Sequence, residues 1–226
     1  MDVKNHDDAA GQHNIVVSTS KQEIDKKLGG GIPRGSLCLI EGESDTGKSV
    51  MVQQFSYGAL QDGLSVSYYS TENTIRSLLT QMESLSLSIL DEMLLGMIHI
   101  YRVNMIPKSK NAASVLKALL SHYQIQTSEI IILDSLTNLV IYSQPEDLLG
   151  FFHQCKALCD SGKTMFITVH SLAFGRDIMT RISSLCDAHL SLRIEQAGGS
   201  TSKVLEVSKI RGAQNSTGNL VSFQVE

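Results

Sequence analysis

The sequence predicts an α/β fold, a mainly parallel sheet flanked by helices with antiparallel strands at its C-terminal edge. Three observations lead there. Apolar, β-branched runs alternate with segments of helical spacing over most of the chain, which is the pattern of repeated βαβ units. One run, "EIIILDSL" at 129–136, is almost continuously apolar, as a strand covered on both faces must be. After residue 187 the rhythm changes to strict alternation broken by "AGGS" and "AQNSTGN", the pattern of hairpins with one face solvated.

The elements follow in order. "SLCLIEG" reads as a buried strand and Ser49 to Ala59 as a helix; "LSVSYYS" is the next strand, ending near Ser70. In "NTIRSLLTQMESL" the apolar residues Ile75, Leu78, Leu79 and Met82 recur at helical spacing. "MIHIYRV" is a third strand and "AASVLKALLSHY" a third helix. After "EIIILDSL" a helix is expected through "LLGFFHQCKALCDSG", a strand at "KTMFITVHS" and a helix near "DIMTRISSLC". "AHLSLRIEQ", "SKVLEVSKI" and "LVSFQVE" close the chain as strands. The polar, acidic start, residues 1–13, carries no signal-peptide core and is expected to be a disordered extension to a single domain over 14–226.

Composition narrows the function. The 226 residues are 42% hydrophobic and 19% charged, with a net charge of −4 and a pI near 6.0. That balance argues against a broad electrostatic grip on nucleic acid. No apolar run is long enough to span a membrane. Cys155 and Cys159 are spaced to share a helix face, so metal binding is open to them, but buried reduced thiols are the simpler reading for all four cysteines.

"GESDTGKS" carries the chemistry. Gly42, Gly47, Lys48 and Ser49 fit G-x-x-x-x-G-K-[ST] at every fixed position. A loop that wraps phosphate must turn its backbone N–H groups inward, which glycine permits, and the following helix points its positive end at the anion. Ser44, Asp45, Thr46 and the helix-opening Val50 complete the predicted nucleotide contacts. Lys48 reaches the β and γ phosphates, and Ser49 is a ligand for Mg²⁺. Asp134 ends the central strand, where a carboxylate faces the ligand crevice and holds the metal; the alternative is a helix N-cap. Ser135 follows, so a base for hydrolysis must come from elsewhere. Glu72, at the end of the neighbouring strand, is the candidate, set against a plain solvated carboxylate. His170, at another strand end, is placed to sense the γ-phosphate or to serve structure alone.

These motifs carry a family resemblance. "LGGGIPRGSLCLIEGESDTGKS" resembles the Gly-Gly-Ile-Pro turn, first strand and P-loop of RecA-like ATPases of the KaiC and RadA kind, and "IIILDSL" resembles their Asp-Ser second motif. "KIRG" resembles the Lys-x-Arg motif that KaiC-like proteins insert into the neighbouring subunit's site, which assigns Lys209 and Arg211 to the nucleotide in trans. The single-domain length, "FITVH" and "NLVSFQVE" look most like the KaiC-like subunit of the archaeal flagellum, the archaellum. The resemblance implies a RecA-like P-loop NTPase that binds ATP with Mg²⁺ and forms a ring, expected to be hexameric. It further implies a cytoplasmic protein held near the membrane through the motor complex, in contact with the motor ATPase and the membrane-anchored components, with nucleotide as a regulatory signal. Where KaiC-like ATPases often have two adjacent glutamates, this chain has Glu72 and Asn73. Asparagine accepts no proton, so slow hydrolysis through Glu72 is expected.

Two other readings are weighed. A working recombinase-like or KaiC-like ATPase acting on DNA should show basic and aromatic residues in its inner loops, yet Lys156 and Lys163 are the only basic residues (Lys or Arg) between Asp134 and His170. A small-molecule kinase would share the P-loop but needs an Arg-rich lid, which is not evident. No DNA partner is expected.

Overall fold

A computed structural model describes residues 16–104, 112–197, 200–213 and 220–223. The expected disordered extension, residues 1–13, lies outside the described residues. The elements run β1 Val16–Val17, α1 Gln22–Lys27, β2 Ile32–Pro33, β3 Leu37–Gly42, α2 Lys48–Gln61, β4 Val66–Ser70, α3 Ile75–Ser84, α4 Leu90–Leu94 and β5 Ile98–Arg102. They continue with α5 Ala112–Ile125, β6 Ile130–Asp134, α6 Thr137–Ile141, α7 Pro145–Asp160, β7 Thr164–His170, α8 Arg176–Leu185, β8 Ala188–Ala197, β9 Ser200–Ile210 and β10 Leu220–Phe223.

Eight strands form one sheet in the order β5-β4-β6-β7-β3-β8-β9-β10. The six from β5 to β8 are parallel to their neighbours; β9 and β10 add antiparallel. The expected fold class therefore holds, including the change of direction at the C-terminal edge. β6, four apolar residues closed by Asp134 and every residue buried, lies inside the sheet between β4 and β7 as its composition requires.

Two apolar layers cover the sheet. On one face α2 packs across the middle strands, with Phe55 stacked on Phe166 at 4.5 Å between ring centroids. On the other, α5, α7 and α8 bury Leu116, Tyr123, Phe151, Phe152 and Ile182. Local chemistry sets the helix starts. Thr74 accepts from the Ser77 N–H to cap α3. Pro145 opens α7 with Glu146 and Asp147 in its first turn, where their charge meets the positive end of the helix.

A small antiparallel pair, β1 with β2, precedes the sheet. Asp25 ties this segment down by accepting from Ser18 Oγ at 2.7 Å, Thr19 N at 2.8 Å and Thr19 Oγ1 at 2.9 Å. The segment runs against α2 at Gly58, where a Cβ would come within 2.1 Å of the Ser18 carbonyl oxygen.

Register decides where the site forms. Gly42 pairs with His170 and with Leu192, and Ser70 pairs with Asp134. The C-terminal ends of β3, β4, β6 and β7 therefore align at one edge, where ligands bind in open parallel sheets.

Candidate functional site: a phosphate loop over a buried carboxylate

The loop between β3 and α2 crosses this edge. Gly47 has φ +100° and Asp45 φ +62°, so the backbone takes two left-handed steps to wrap the loop. Gly42 is required for a different reason. A Cβ there would stand 2.5 Å from the Leu192 carbonyl oxygen and 2.6 Å from Thr46 Oγ1. Thr46 is buried and its hydroxyl donates to the Glu43 carbonyl at 2.8 Å, bracing the loop. Lys48 arches back over it and donates from Nζ to the same carbonyl at 2.6 Å. Burial lowers the Lys48 pKa, and the nearby Glu72, Asp134 and Asp45 charges oppose that shift.

Asp134 lies beneath the loop, 4% exposed. Its Oδ1 accepts from Thr168 Oγ1 at 2.7 Å and Ser49 Oγ at 3.1 Å, and its Oδ2 from Tyr68 OH at 2.8 Å. Three elements thus each send a hydroxyl to one carboxylate. Burial raises the Asp134 pKa, with the three hydroxyl bonds acting against it and Glu72 adding to it. Burial also keeps Tyr68 protonated, its pKa well above the ordinary value, so it remains a donor.

Glu72 enters from the end of β4, where Ser135 Oγ donates to its Oε1 at 2.8 Å. The Thr137 hydroxyl lies 3.1 Å from that of Ser135, and its oxygen accepts the His170 backbone N–H at 3.0 Å. His170 Nδ1 accepts from the Leu172 N–H at 3.2 Å, which leaves Nε2 as the ring donor. A cavity of about 450 Å³ joins these groups, lined by Lys48, Ser49, Glu72, Asp134 and His170 among others.

The residues fit a magnesium nucleotide. Backbone N–H groups, an ammonium and a helix N-terminus face an anion, while Ser49 and Asp134 offer the hard oxygens magnesium selects. Ser44, Asp45, Gly47 and Val50 line the same cavity, while Gly42 and Thr46 shape the loop from below. Held by Ser49 and Asp134, magnesium would neutralise negative charge on the nucleotide's phosphates.

Lys209 and Arg211 lie elsewhere. His189, near the start of β8, pairs with Lys209, whereas Leu192 further along β8 pairs with Gly42. Lys209 Nζ donates to the Ser183 carbonyl at 2.7 Å and Arg211 to the Ser184 carbonyl at 3.4 Å, so both cap the end of α8. Within one chain they do not join the phosphate cavity.

The sequence reading missed several contributors. Tyr68 and Thr168 grip Asp134, Thr137 links Ser135 to His170, and Gln81 and Lys203 line the cavity. Lys203 had a legible signal, since it follows the alternation that puts Leu205 and Val207 in the core. The structure also disposes of other candidates. Lys156 pairs with Asp160 and Asp187, and Lys163 donates to the Gln126 and Ser128 carbonyls. All four cysteines are buried and unbridged, and burial pushes the Cys159 and Cys186 thiols up to about 12. Among the described residues no cluster of three or more His, Cys, Asp or Glu side chains could hold a metal, so Cys155 and Cys159 pack as apolar groups. No described helix is long and apolar enough to cross a membrane.

The sequence profile of the family described as "ATPase: KaiC" matches residues 17–224. The chain belongs to the KaiC family of ATPases. KaiC-family relatives include the archaeal flagellar ATP-binding protein FlaH of Methanocaldococcus jannaschii, 32% identical over 93% of this chain and 91% of that protein. FlaH of Sulfolobus acidocaldarius is 28% identical over 94% of this chain and 93% of its own length. The crystal structure of the flagellar accessory protein FlaH from M. jannaschii superposes with a TM-score of 0.78 at 30% identity, covering 94% of this chain and 95% of that one. The chain is thus FlaH-like in sequence, length and fold.

Proposed function

We propose that this protein binds Mg·ATP and acts as a ring-forming regulatory component of the archaellum motor, with slow or no hydrolysis. The carrying observation is the convergence of the phosphate loop, through Lys48 and Ser49, with Asp134 and Glu72 on one cavity, and Asn73 in place of a second carboxylate. The FlaH likeness supports the archaellum setting. It also supports the motor ATPase and membrane-anchored motor components as partners, and a cytoplasmic position beside them.

The placement of Lys209 and Arg211 supports assembly. They stand away from their own phosphate cavity, so their contribution to a nucleotide would come from the next subunit in a closed head-to-tail ring. ATP then acts by binding one arrangement of that interface more tightly than another, and the shift is limited to that difference. Light scattering with and without Mg·ATP tests this. Wild type is expected to gain mass with Mg·ATP and Lys48→Ala is not; equal masses for both would overturn the reading.

One observation favours a second reading, a working ATPase: Glu72 is in the cavity and held by Ser135. Turnover lost in Glu72→Gln would establish it.

A further inference from the structure

A line of buried polar side chains runs from the wall of the nucleotide cavity to the far side of Asp134. Gln81 on α3 lines the cavity and its Oε1 accepts from Gln53 Nε2 at 3.0 Å. Gln53, within α2, is wholly buried. Its amide acts to lower the Tyr68 pKa against the burial that raises it, and Tyr68, also wholly buried, donates to Asp134 Oδ2. Among the described residues Gln53 Oε1 has no hydrogen-bond partner.

A buried amide with one unmatched oxygen costs stability that a leucine in the same space would not. A carboxylate, for its part, turns freely about its last bond, because that torsion has no sharp minimum. Asp134 needs a fixed orientation, since only Oδ1 lies beside Ser49. The bond from Tyr68 to Oδ2, acting with that from Thr168 to Oδ1, stops that rotation.

We propose that Tyr68, held by Gln53 and Gln81, is a positioning residue for Asp134, keeping Oδ1 turned to the metal position next to Ser49. This rests on the Mg·ATP reading above. Because Gln81 forms part of the cavity wall, the same line couples α3 to the metal carboxylate.

The test is calorimetric titration of ATP into the full chain, once with magnesium and once with a chelator. The chelated affinity reads the phosphate loop, and the gain on adding magnesium reads Asp134. Loss of an outer partner of a metal ligand typically costs about 10- to 100-fold in metal affinity, so Tyr68→Phe should cut the magnesium gain by roughly tenfold or more. Gln53→Leu should cut it in the same direction, and it removes an unmatched buried oxygen, so it provides a folded variant if Tyr68→Phe does not fold. An undiminished gain overturns the positioning role. A loss of chelated affinity in step with the gain also overturns it, because that marks a general structural defect. If wild type binds no ATP under either condition, the Mg·ATP reading itself fails, a result distinct from both.

Discussion

The Ser135 hydroxyl donates to Glu72 Oε1 across 2.8 Å, joining the ends of β6 and β4. The position where many P-loop ATPases carry a catalytic glutamate is here a serine that grips the only acidic residue of "TEN". Its hydrogen bond occupies one of the two carboxylate oxygens that could otherwise take a proton from an attacking water. Ser135→Ala should therefore leave ATP affinity within a few fold and raise phosphate release modestly, while Glu72→Gln abolishes what release there is. Single-turnover phosphate assays on both variants check the pair. A fall in release for Ser135→Ala would show that the serine orients Glu72 productively.

Lys48→Ala should remove nucleotide binding, a loss on the order of 100-fold or more for a charge-assisted contact worth several kcal/mol in a partly buried site. The fold should survive. Burial lowers the Lys48 pKa in the folded state below its unfolded value, so its positive charge costs stability at neutral pH, and that cost begins to fall at the folded pKa and is gone above the unfolded one. By the same shift, ATP affinity should fall as pH rises through that lowered pKa. Titration calorimetry across alkaline pH would show the decline, which Lys48→Ala should lack.

Asp134 sets function against stability. Its folded pKa is raised, chiefly by burial, so the folded protein holds this proton more tightly than the unfolded chain does. The ionised carboxylate therefore costs stability at neutral pH, and the cost is relieved as pH falls through the folded pKa toward the unfolded one. Asp134→Asn should raise the melting temperature of the nucleotide-free protein by a few degrees, about what ~1 kcal/mol gives for a chain of this size. The same change should remove the magnesium-dependent part of ATP affinity. In wild type that part should fade on acidification at a pH above the ordinary carboxylate value of about 3.9. Thermal melts and magnesium titrations measure the two effects separately.

Gly42→Ala and Gly58→Ala distinguish site from scaffold. A Cβ at Gly42 would clash with the Leu192 carbonyl and Thr46, and one at Gly58 with the Ser18 carbonyl. Both should destabilise by roughly 1–3 kcal/mol, the usual cost of overpacking. Only Gly42→Ala should also weaken ATP binding in the folded fraction, because only it displaces the phosphate loop. Denaturant melts combined with binding at low temperature separate them.

Arg211→Ala should leave the monomer's stability within about 0.5 kcal/mol, as expected of a surface side chain, since the side chain is 57% exposed and stands 3.9 Å from Asp187. It should reduce ATP-dependent assembly. Sedimentation with Mg·ATP checks this, and undiminished assembly would remove Arg211 from the subunit interface.

The long elements and the first ring of site residues were legible because each is written locally. The phosphate loop is one contiguous motif, Asp134 ends a run that can only be a central strand, and Glu72 follows two residues after the strand paired to it. What stayed hidden depends on contacts distant in sequence. Tyr68 and Thr168 look like ordinary strand residues until β4 and β7 flank β6 and bring both hydroxyls to one carboxylate. Gln53 sits on the buried face of α2, a polar residue where periodicity expects an apolar one, and that mismatch was the available signal. The short elements α1, α4 and α6 span 5 or 6 residues each, too few to display a helical period.

Under the proposed function, nucleotide is a signal here and not fuel. The most direct measurement is ATP retained after gel filtration, paired with phosphate release at saturating Mg·ATP. The account predicts tight retention in wild type, none in Lys48→Ala, and release far slower than about one per second, the low end of ordinary enzyme turnover. Sustained release at or above that rate, abolished by Glu72→Gln, would contradict it.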